Sequence, residues 1–567
     1  MQSIEPLEAA VPPLRHGEQF VRRTGSQQPS TRPVLAVATR TRHRGLIQGF
    51  LESAERLASR DALVVDNTNL TYRELRDRAA AIAKTILEQE PDLFPLAAML
   101  ASRSATAYAS VLGILGARKG YVPLNPKFPV DRTRKMLLLS GCRVLVVGGE
   151  ALGQLPRLLP EIDRSLTVIL PDCGDAAELR AAFPQHRFVS SRQMSQGEGF
   201  AFDIEVDSSA IAYLLFTSGS TGEPKGVPIR HSNVRSYIEY ISNRYEVNEQ
   251  DRFSQQFDLT FDLSVHDMFV CWERGACLFC APEKSVMLPA KFIRERELTM
   301  WFSVPSVVTL LSKMRLLQPR SFPSLRFSLF CGEPLAAAHA QQWQEAASNS
   351  LVENLYGPTE TTIAISHYRW DRSRSPQECL NGIVPIGRVF AGQQSRIVDH
   401  DRSEVAETGE LCLAGTQVTD GYWNNPEKTG CQFVRFPETG ETPWYRTGDL
   451  VKQGENRCLY YLGRIDQQVK IRGYRVELQE IELVLRKASG AGQVVAIPWP
   501  VADGSADGVV AFLCGASNLD DLHILNRCRE VLPDYMVPRN IHRLEEIPLN
   551  DNGKSDRKKL LKLLEGA

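Results

Sequence analysis

At 567 residues the chain is too long for one compact core, so two or more domains are expected. Hydrophobic residues at 43% and charged residues at 23% are ordinary for a globular protein. The 66 Lys and Arg balance the 67 Asp and Glu to a net charge of -1, which offers no footprint for nucleic acid or an anionic membrane surface.

The opening MQSIEPLEAAVPPLRHGEQF lacks the basic and apolar regions of a secretory signal. No stretch approaches the roughly 20 apolar residues of a membrane helix. A cytoplasmic protein without a membrane partner is therefore expected, its twelve scattered cysteines being free thiols. Residues 1–44 are rich in Pro, Gln, Ser and Arg without periodicity, which predicts a disordered extension.

From Gly45 the pattern becomes globular. LIQGFLESAERLASRDALVV predicts an amphipathic helix leading into a strand, and Thr71 with Glu74 predicts the capped start of a second helix. YASVLGILGARKG, YVPLNP and CRVLVVGG continue an α/β alternation of sheets covered by helices. In GACLFCAP the pair Cys277 and Cys280 lacks a second pair or nearby histidines for a metal, and reads as a short apolar strand. Beyond residue 390, QSRIVDH, GELCLAG and CLYYLG predict short strands of a β-rich subdomain. GRIDQQVKIRGYRVE then predicts a strand, a helix begins at Leu478, and a boundary at Asp466 gives a core over 45–465 and a small α+β domain over 466–567.

The stretch LLFTSGSTGEPKGVPIRHSN, residues 214–233, carries the first chemical signal. Thr217, Ser218, Gly219, Ser220, Thr221 and Gly222 can turn tightly and present N–H groups and hydroxyls to phosphate oxygens, while Lys225 adds a positive charge. Gly226 stands where a nucleotide-hydrolase P-loop requires Ser or Thr. Taken alone, the run fits an anion-binding nest and a flexible surface turn equally.

Five more motifs follow in order: NLYGPTETT (354–362), GELCLAG (409–415), WYRTGDLV (444–451), GRIDQQVKIRGYRVELQEIE (463–482) and NGKSDRKKL (552–560). Together with the loop they resemble the adenylate-forming enzymes, a superfamily that includes nonribosomal peptide synthetase adenylation domains, acyl-CoA synthetases and luciferases. The resemblance covers about residues 45–567 and implies ATP and Mg2+. It also implies a large domain of two α/β subdomains and a β-rich subdomain, with a mobile small domain behind it. A carboxylate must attack the α-phosphorus of ATP, and two unit charges about 4 Å apart repel by about 4 kcal/mol at an effective dielectric of about 20, so cations are needed there.

By that resemblance Glu360 would hold Mg2+ and Thr221 with its neighbours would wrap the departing phosphates. Lys554 would bridge carboxylate and α-phosphate. Tyr356, beside Gly357 and Thr359, would stack on adenine, and Asp449 and Arg464 would reach the ribose. Asp466 would be the hinge about which the small domain turns, withdrawing Lys554 and bringing Gly473 beside an incoming pantetheine thiol.

In QQFDLTFDLSVHDMF, Asp262 matches the family aspartate that pairs with an amino-acid ammonium, which favours an amino acid over the fatty or aryl acids of acyl-CoA synthetases. The side-chain pocket implied is Leu263, His266, Phe302, Leu329, Cys331, Leu355, Ile363 and Ala364, a mostly apolar set suited to a small uncharged side chain. Cys331 and LPDYMVPR resemble D-alanine–carrier protein ligases; Phe302 and Leu355 resemble stand-alone L-proline-activating enzymes. L-Proline is the leading expectation, with D-alanine or glycine, an acyl-CoA-type ligase and a non-catalytic binding protein as alternatives. Few residues follow Asp556 and Arg557, so the thiol is expected on a separate carrier protein, within a biosynthetic cluster.

Overall fold

The computed structural model describes residues 42–565 apart from 67, 91–93, 203–204, 220–222, 283–288, 400–406, 503, 516–518 and 550–554. The extension expected over 1–44 lies outside the described residues up to position 41. Arg42–Arg44 is instead a short strand, paired antiparallel with Glu205–Asp207.

The α/β alternation folds into two largely parallel sheets. The first has seven strands, ordered Lys225–Arg230, Ile211–Thr217, Gly120–Leu124, Leu96–Leu100, Val144–Val147, Thr167–Leu170 and Arg187–Ser190. Only its first pair is antiparallel. Leu96–Leu100, Val144–Val147 and Thr167–Leu170 are buried throughout, as continuous apolar strands covered on both faces should be. Helix Ala105–Gly116 is started by the Ser104 hydroxyl, which accepts the Ala107 N–H. It is apolar and buried almost all round. Helix Tyr72–Gln89 begins with the Thr71–Glu74 capping box expected from sequence.

The second sheet has nine strands, and its run from Leu351–Tyr356 through Phe327–Phe330, Met300–Ser303, Arg252–Gln255 and Cys277–Cys280 to Asp61–Val65 is parallel. Cys277 and Cys280 thus form the strand predicted for them. One apolar core is shared by both sheets, with Met99, Tyr121 and Tyr213 on one side and Phe253, Leu278 and Met300 on the other. A second core backs the nine-stranded sheet around Trp343, whose ring lies 5.9 Å from Trp301, 5.4 Å from Phe322 and 5.3 Å from Phe330.

The β-rich part is an antiparallel sheet of Gln393–Val398, Thr408–Gly415, Trp444–Gln453, Phe433–Val434 and Leu459–Arg464. Strands after Gln468 pair only with one another among the described residues. They build a small domain whose core holds Ile481, Leu485, Ala511, Ile524 and Met536. It rests on the large domain through a buried Arg132–Glu480 ion pair at 2.5 Å and a 2.6 Å hydrogen bond from Ser505 to Glu333. No helix among the described residues is long and apolar enough to cross a membrane.

Trp343→Ala removes the ring on which Trp301, Phe322 and Phe330 pack. It should destabilise the fold by about 3–5 kcal/mol, read as a lowered denaturant midpoint at unchanged slope.

Candidate active site

The carboxyl ends of parallel strands from both sheets converge, the usual position for a site in such folds. Ile211–Thr217 delivers the small-residue loop, Met300–Ser303 and Phe327–Phe330 deliver Phe302 and Cys331, and Leu351–Tyr356 runs on into Gly357 and Glu360. Glu360 sits on a single 3-10 turn, Thr359–Thr361, after which Thr362 and Ile363 take left-handed φ values of 61° and 71°. Two β-branched residues in that region are strained unless the surroundings enforce it. Gln417 does so. Its side-chain amide donates to the Ala364 carbonyl at 2.7 Å, and its backbone carbonyl accepts the Thr362 hydroxyl at 2.5 Å.

Glu360 is 0% exposed. Its Oε1 accepts from the Tyr422 hydroxyl at 2.8 Å and lies 3.2 Å from Lys225 Nζ, while Oε2 accepts from Arg475 Nη1 at 2.8 Å. Burial acts to raise the carboxyl pKa, but Arg475 and then Lys225 outweigh it and hold the group well below the usual carboxylate range. The same burial pushes Lys225 down to about 8 against the pull of Glu360. Lys225 also lies 4.7 Å over the Tyr422 ring, so its charge faces this cluster.

Around the loop, the Thr217 hydroxyl oxygen is buried with no hydrogen-bond partner among the described residues, and the Ser218 hydroxyl donates to the backbone carbonyl of Arg475 at 2.8 Å. A Cβ on Gly219 would stand 2.1 Å from the Glu223 carbonyl, which explains the glycine. Ser220, Thr221, Gly222 and Lys554 lie outside the described residues.

A cavity of about 940 Å³ opens between the domains, bordered among others by Tyr356, Gly357, Asp449, Arg464, Lys470 and Arg475. Tyr356 donates its hydroxyl to Asp449 Oδ2 at 2.5 Å, and Arg464 donates to Asp449 Oδ1 at 2.8 Å. Arg464 also reaches Asp466 Oδ1 at 2.9 Å, tying the Tyr356–Asp449 pair to the expected hinge. Across the cavity, Gln468–Ile471 and Tyr474–Glu477 form a hairpin. Its turn residues Arg472 and Gly473 have φ of 49° and 84°, both left-handed as a two-residue hairpin turn of this hand demands. The Gly473 carbonyl lies 4.0 Å from the position of a Cβ on Gly332, and a Cβ on Gly473 would meet Val304 at 2.6 Å.

Asp262 precedes helix Leu263–Glu273 and is 5% exposed. Burial dominates over its hydrogen bond with the Thr359 side chain and the charge of Lys470, and raises its pKa to about 6. Behind it Leu263, Phe302, Leu329, Cys331, Leu355, Ile363 and Ala364 are buried in one apolar cluster, and His266 is buried beside them. The Phe302 ring lies edge-on to His266 at 4.6 Å. Burial lowers the His266 pKa to about 3, so the ring is neutral, and its Nδ1 shares a 2.8 Å hydrogen bond with the Tyr237 hydroxyl.

Those residues singled out from sequence that fall among the described ones therefore surround one region. Sequence reasoning misses Arg475, Tyr422 and Gln417. Arg475 lies inside a recognised motif, two positions beyond Gly473, whereas nothing local marks the other two. No cluster of three or more His, Cys, Asp or Glu that could cage a metal occurs among the described residues. One buried carboxylate beside the small-residue loop fits an ion such as Mg2+ that is held largely by the phosphates of a nucleotide.

The family described as AMP-binding enzyme matches residues 50–423. The chain is 34% identical over 526 residues to one of the linear gramicidin synthase proteins of Brevibacillus parabrevis, and 31% identical over 522 residues to surfactin synthase subunit 2 of Bacillus subtilis. Each match covers 90% of this chain but only 9% and 14% of those proteins. The Vibrio cholerae adenylation domain AlmE, solved in complex with glycyl-adenosine-5'-phosphate, superposes with a TM-score of 0.83 at 34% identity, covering 94% of this chain and 100% of that one. The chain belongs to the AMP-binding, adenylate-forming enzymes that use ATP and Mg2+, and within them to the amino-acid adenylation domains of the nonribosomal peptide synthetase type.

Proposed function

We propose that this chain joins a small neutral amino acid to AMP and then passes the aminoacyl group to the phosphopantetheine thiol of a separate carrier protein in the cytoplasm. Glycine is the amino acid that fits best. The observation that carries the amino-acid reading is Asp262, a buried carboxylate whose charge is under-compensated, as its raised pKa of about 6 reports. A substrate ammonium supplies the missing cation.

In the first step a substrate carboxylate oxygen bonds to the α-phosphorus as the bond to the β-phosphate oxygen breaks and pyrophosphate leaves. The loop from Thr217 to Gly222 receives the departing phosphates, and the orphaned Thr217 hydroxyl supports that role. Lys554 bridges carboxylate and α-phosphate from the small domain, which closes about Asp466. Glu360 would hold Mg2+, which would supply positive charge to the phosphates. Tyr356 faces the adenine, while Asp449 and Arg464 take the ribose hydroxyls. In the second step the thiolate sulfur bonds to the acyl carbon and AMP leaves, with Gly473 lining the thiol's approach. The position of the hairpin at the cavity, with Gly473 beside Gly332, supports this role for Gly473.

The size of the side-chain compartment favours glycine. Phe302, His266, Leu329, Cys331, Ile363 and Ala364 are each 2% exposed or less, a closely packed wall. That the neighbour AlmE carries glycyl-adenosine-5'-phosphate agrees with a filled compartment. L-Proline is the second reading, favoured by the wholly apolar wall of Phe302 and Leu355, against which a pyrrolidine ring can pack if that wall yields. Pyrophosphate exchange measured across glycine, L-proline, both alanines and serine decides. Glycine should give the highest kcat/KM, and exchange driven only by fatty or aryl acids would overturn the amino-acid reading.

Asp262 gives a signed pH dependence. Below about pH 6 the free enzyme carries a neutral Asp262 that cannot pair an ammonium, so kcat/KM for the amino acid should fall on the acid side with an apparent pKa of about 6. Asp262→Asn should abolish that limb and lower kcat/KM by about a hundredfold or more, the equivalent of a broken buried ion pair.

A further inference from the structure

Phe302 is the bulkiest side chain of the wall behind Asp262, and two aromatic rings flank it. The Phe257 ring lies edge-on to it at 5.5 Å and the His266 ring edge-on at 4.6 Å. The Phe302 carbonyl accepts from the Gln256 side-chain amide at 2.7 Å, which fixes the backbone there and leaves the ring to its neighbours. His266 has a polar anchor of its own, the 2.8 Å hydrogen bond between its Nδ1 and the Tyr237 hydroxyl. Tyr237 belongs to helix His231–Arg244, His266 to helix Leu263–Glu273 and Phe302 to strand Met300–Ser303. One hydrogen bond therefore joins a helix outside the pocket to the two largest rings of its wall.

Tyr237 is itself firmly held. It is 0% exposed, and its ring lies 6.2 Å from Phe390, which stacks on Tyr240 at 4.3 Å. Burial first, then Cys331, Asp262 and Asp267, push the Tyr237 hydroxyl pKa well up, so it keeps its proton beside a neutral imidazole. Breaking this pair would leave two polar groups unsatisfied in the core, which keeps the His266 ring in place. We propose that Tyr237 sets the size of the amino-acid compartment, because it holds the His266 ring against Phe302 and so keeps the wall closed to side chains larger than that of glycine. Given the amino-acid reading on which this rests, Tyr237 is a positioning residue that meets the substrate only through two other rings. A tyrosine that merely joined two helices would lower stability and leave discrimination among amino acids as it was.

The test measures binding of the sulfamoyladenosine derivatives of glycine, L-alanine and L-proline to the full chain by calorimetry, so no turnover is needed. The wild-type protein should bind the glycyl compound tightest. Tyr237→Phe should narrow the preference for glycyl over alanyl and prolyl by about tenfold or more, the lower end of what one methylene is worth in an apolar pocket. Phe302→Ala should narrow it as well. Adding Tyr237→Phe to Phe302→Ala should then change little, because both substitutions open the same wall. Nitrogen NMR on histidine-labelled protein should show the His266 Nδ1 resonance moving in Tyr237→Phe. The wild-type preference in a folded Tyr237→Phe protein, an unmoved Nδ1 resonance, or full additivity with Phe302→Ala would each overturn the proposal. So would tightest wild-type binding of the prolyl compound, since the wall would then stand open without any substitution. Wild-type protein that bound none of the three compounds would instead sink the amino-acid reading, and the Nδ1 resonance would still report the hydrogen bond.

Discussion

The buried carboxylate of Glu360 organises the site. Removing it from water is unfavourable unless cations and donors surround it, and here they come from three distant parts of the chain. Lys225 arrives from the antiparallel edge strand of the seven-stranded sheet, Tyr422 from the segment after Thr408–Gly415, and Arg475 from the small domain. Each must be placed for the charge to be tolerated, so the electrostatic demand of one residue fixes the mutual position of a sheet edge, the β-rich segment and the hairpin. Gln417 extends the same constraint through the backbone by holding Thr362 and Ile363 in the left-handed region. That bend turns the chain back, so that Ile363 and Ala364 join the buried cluster behind Asp262.

Local signals are legible in the sequence wherever cause and effect are a few residues apart. Thr71 and Glu74 form the expected capping box because both partners lie within one helical turn. The helix at Leu478, the strand Cys277–Cys280 and the short strands after residue 390 follow likewise from periodicity and turn residues. Tyr422 carries no such mark, because its partner Glu360 is 62 positions away and only the fold joins them. Arg42–Arg44 reads as part of a featureless extension for the same reason, its pairing partner being Glu205–Asp207. Arg475 stands in plain view within KIRGYRVE, but strand alternation gives only its face, and the carboxylate it meets is 115 positions earlier.

Two buried carboxylates stand close to one short turn with opposite balances of charge. Thr359 holds Asp262 through its side chain, and the next residue is Glu360. Glu360 is met by two cations and a hydroxyl and stays ionised, whereas Asp262 has a hydroxyl and a more distant lysine, and its pKa climbs to about 6. Arg475, one of the two cations at Glu360, is carried on the small domain, so the compensation of this carboxylate depends on where that domain sits. The different compensation of two neighbouring carboxylates therefore sets their capacities apart: Glu360 already has its cations within the protein, whereas the charge balance of Asp262 leaves a place for one more.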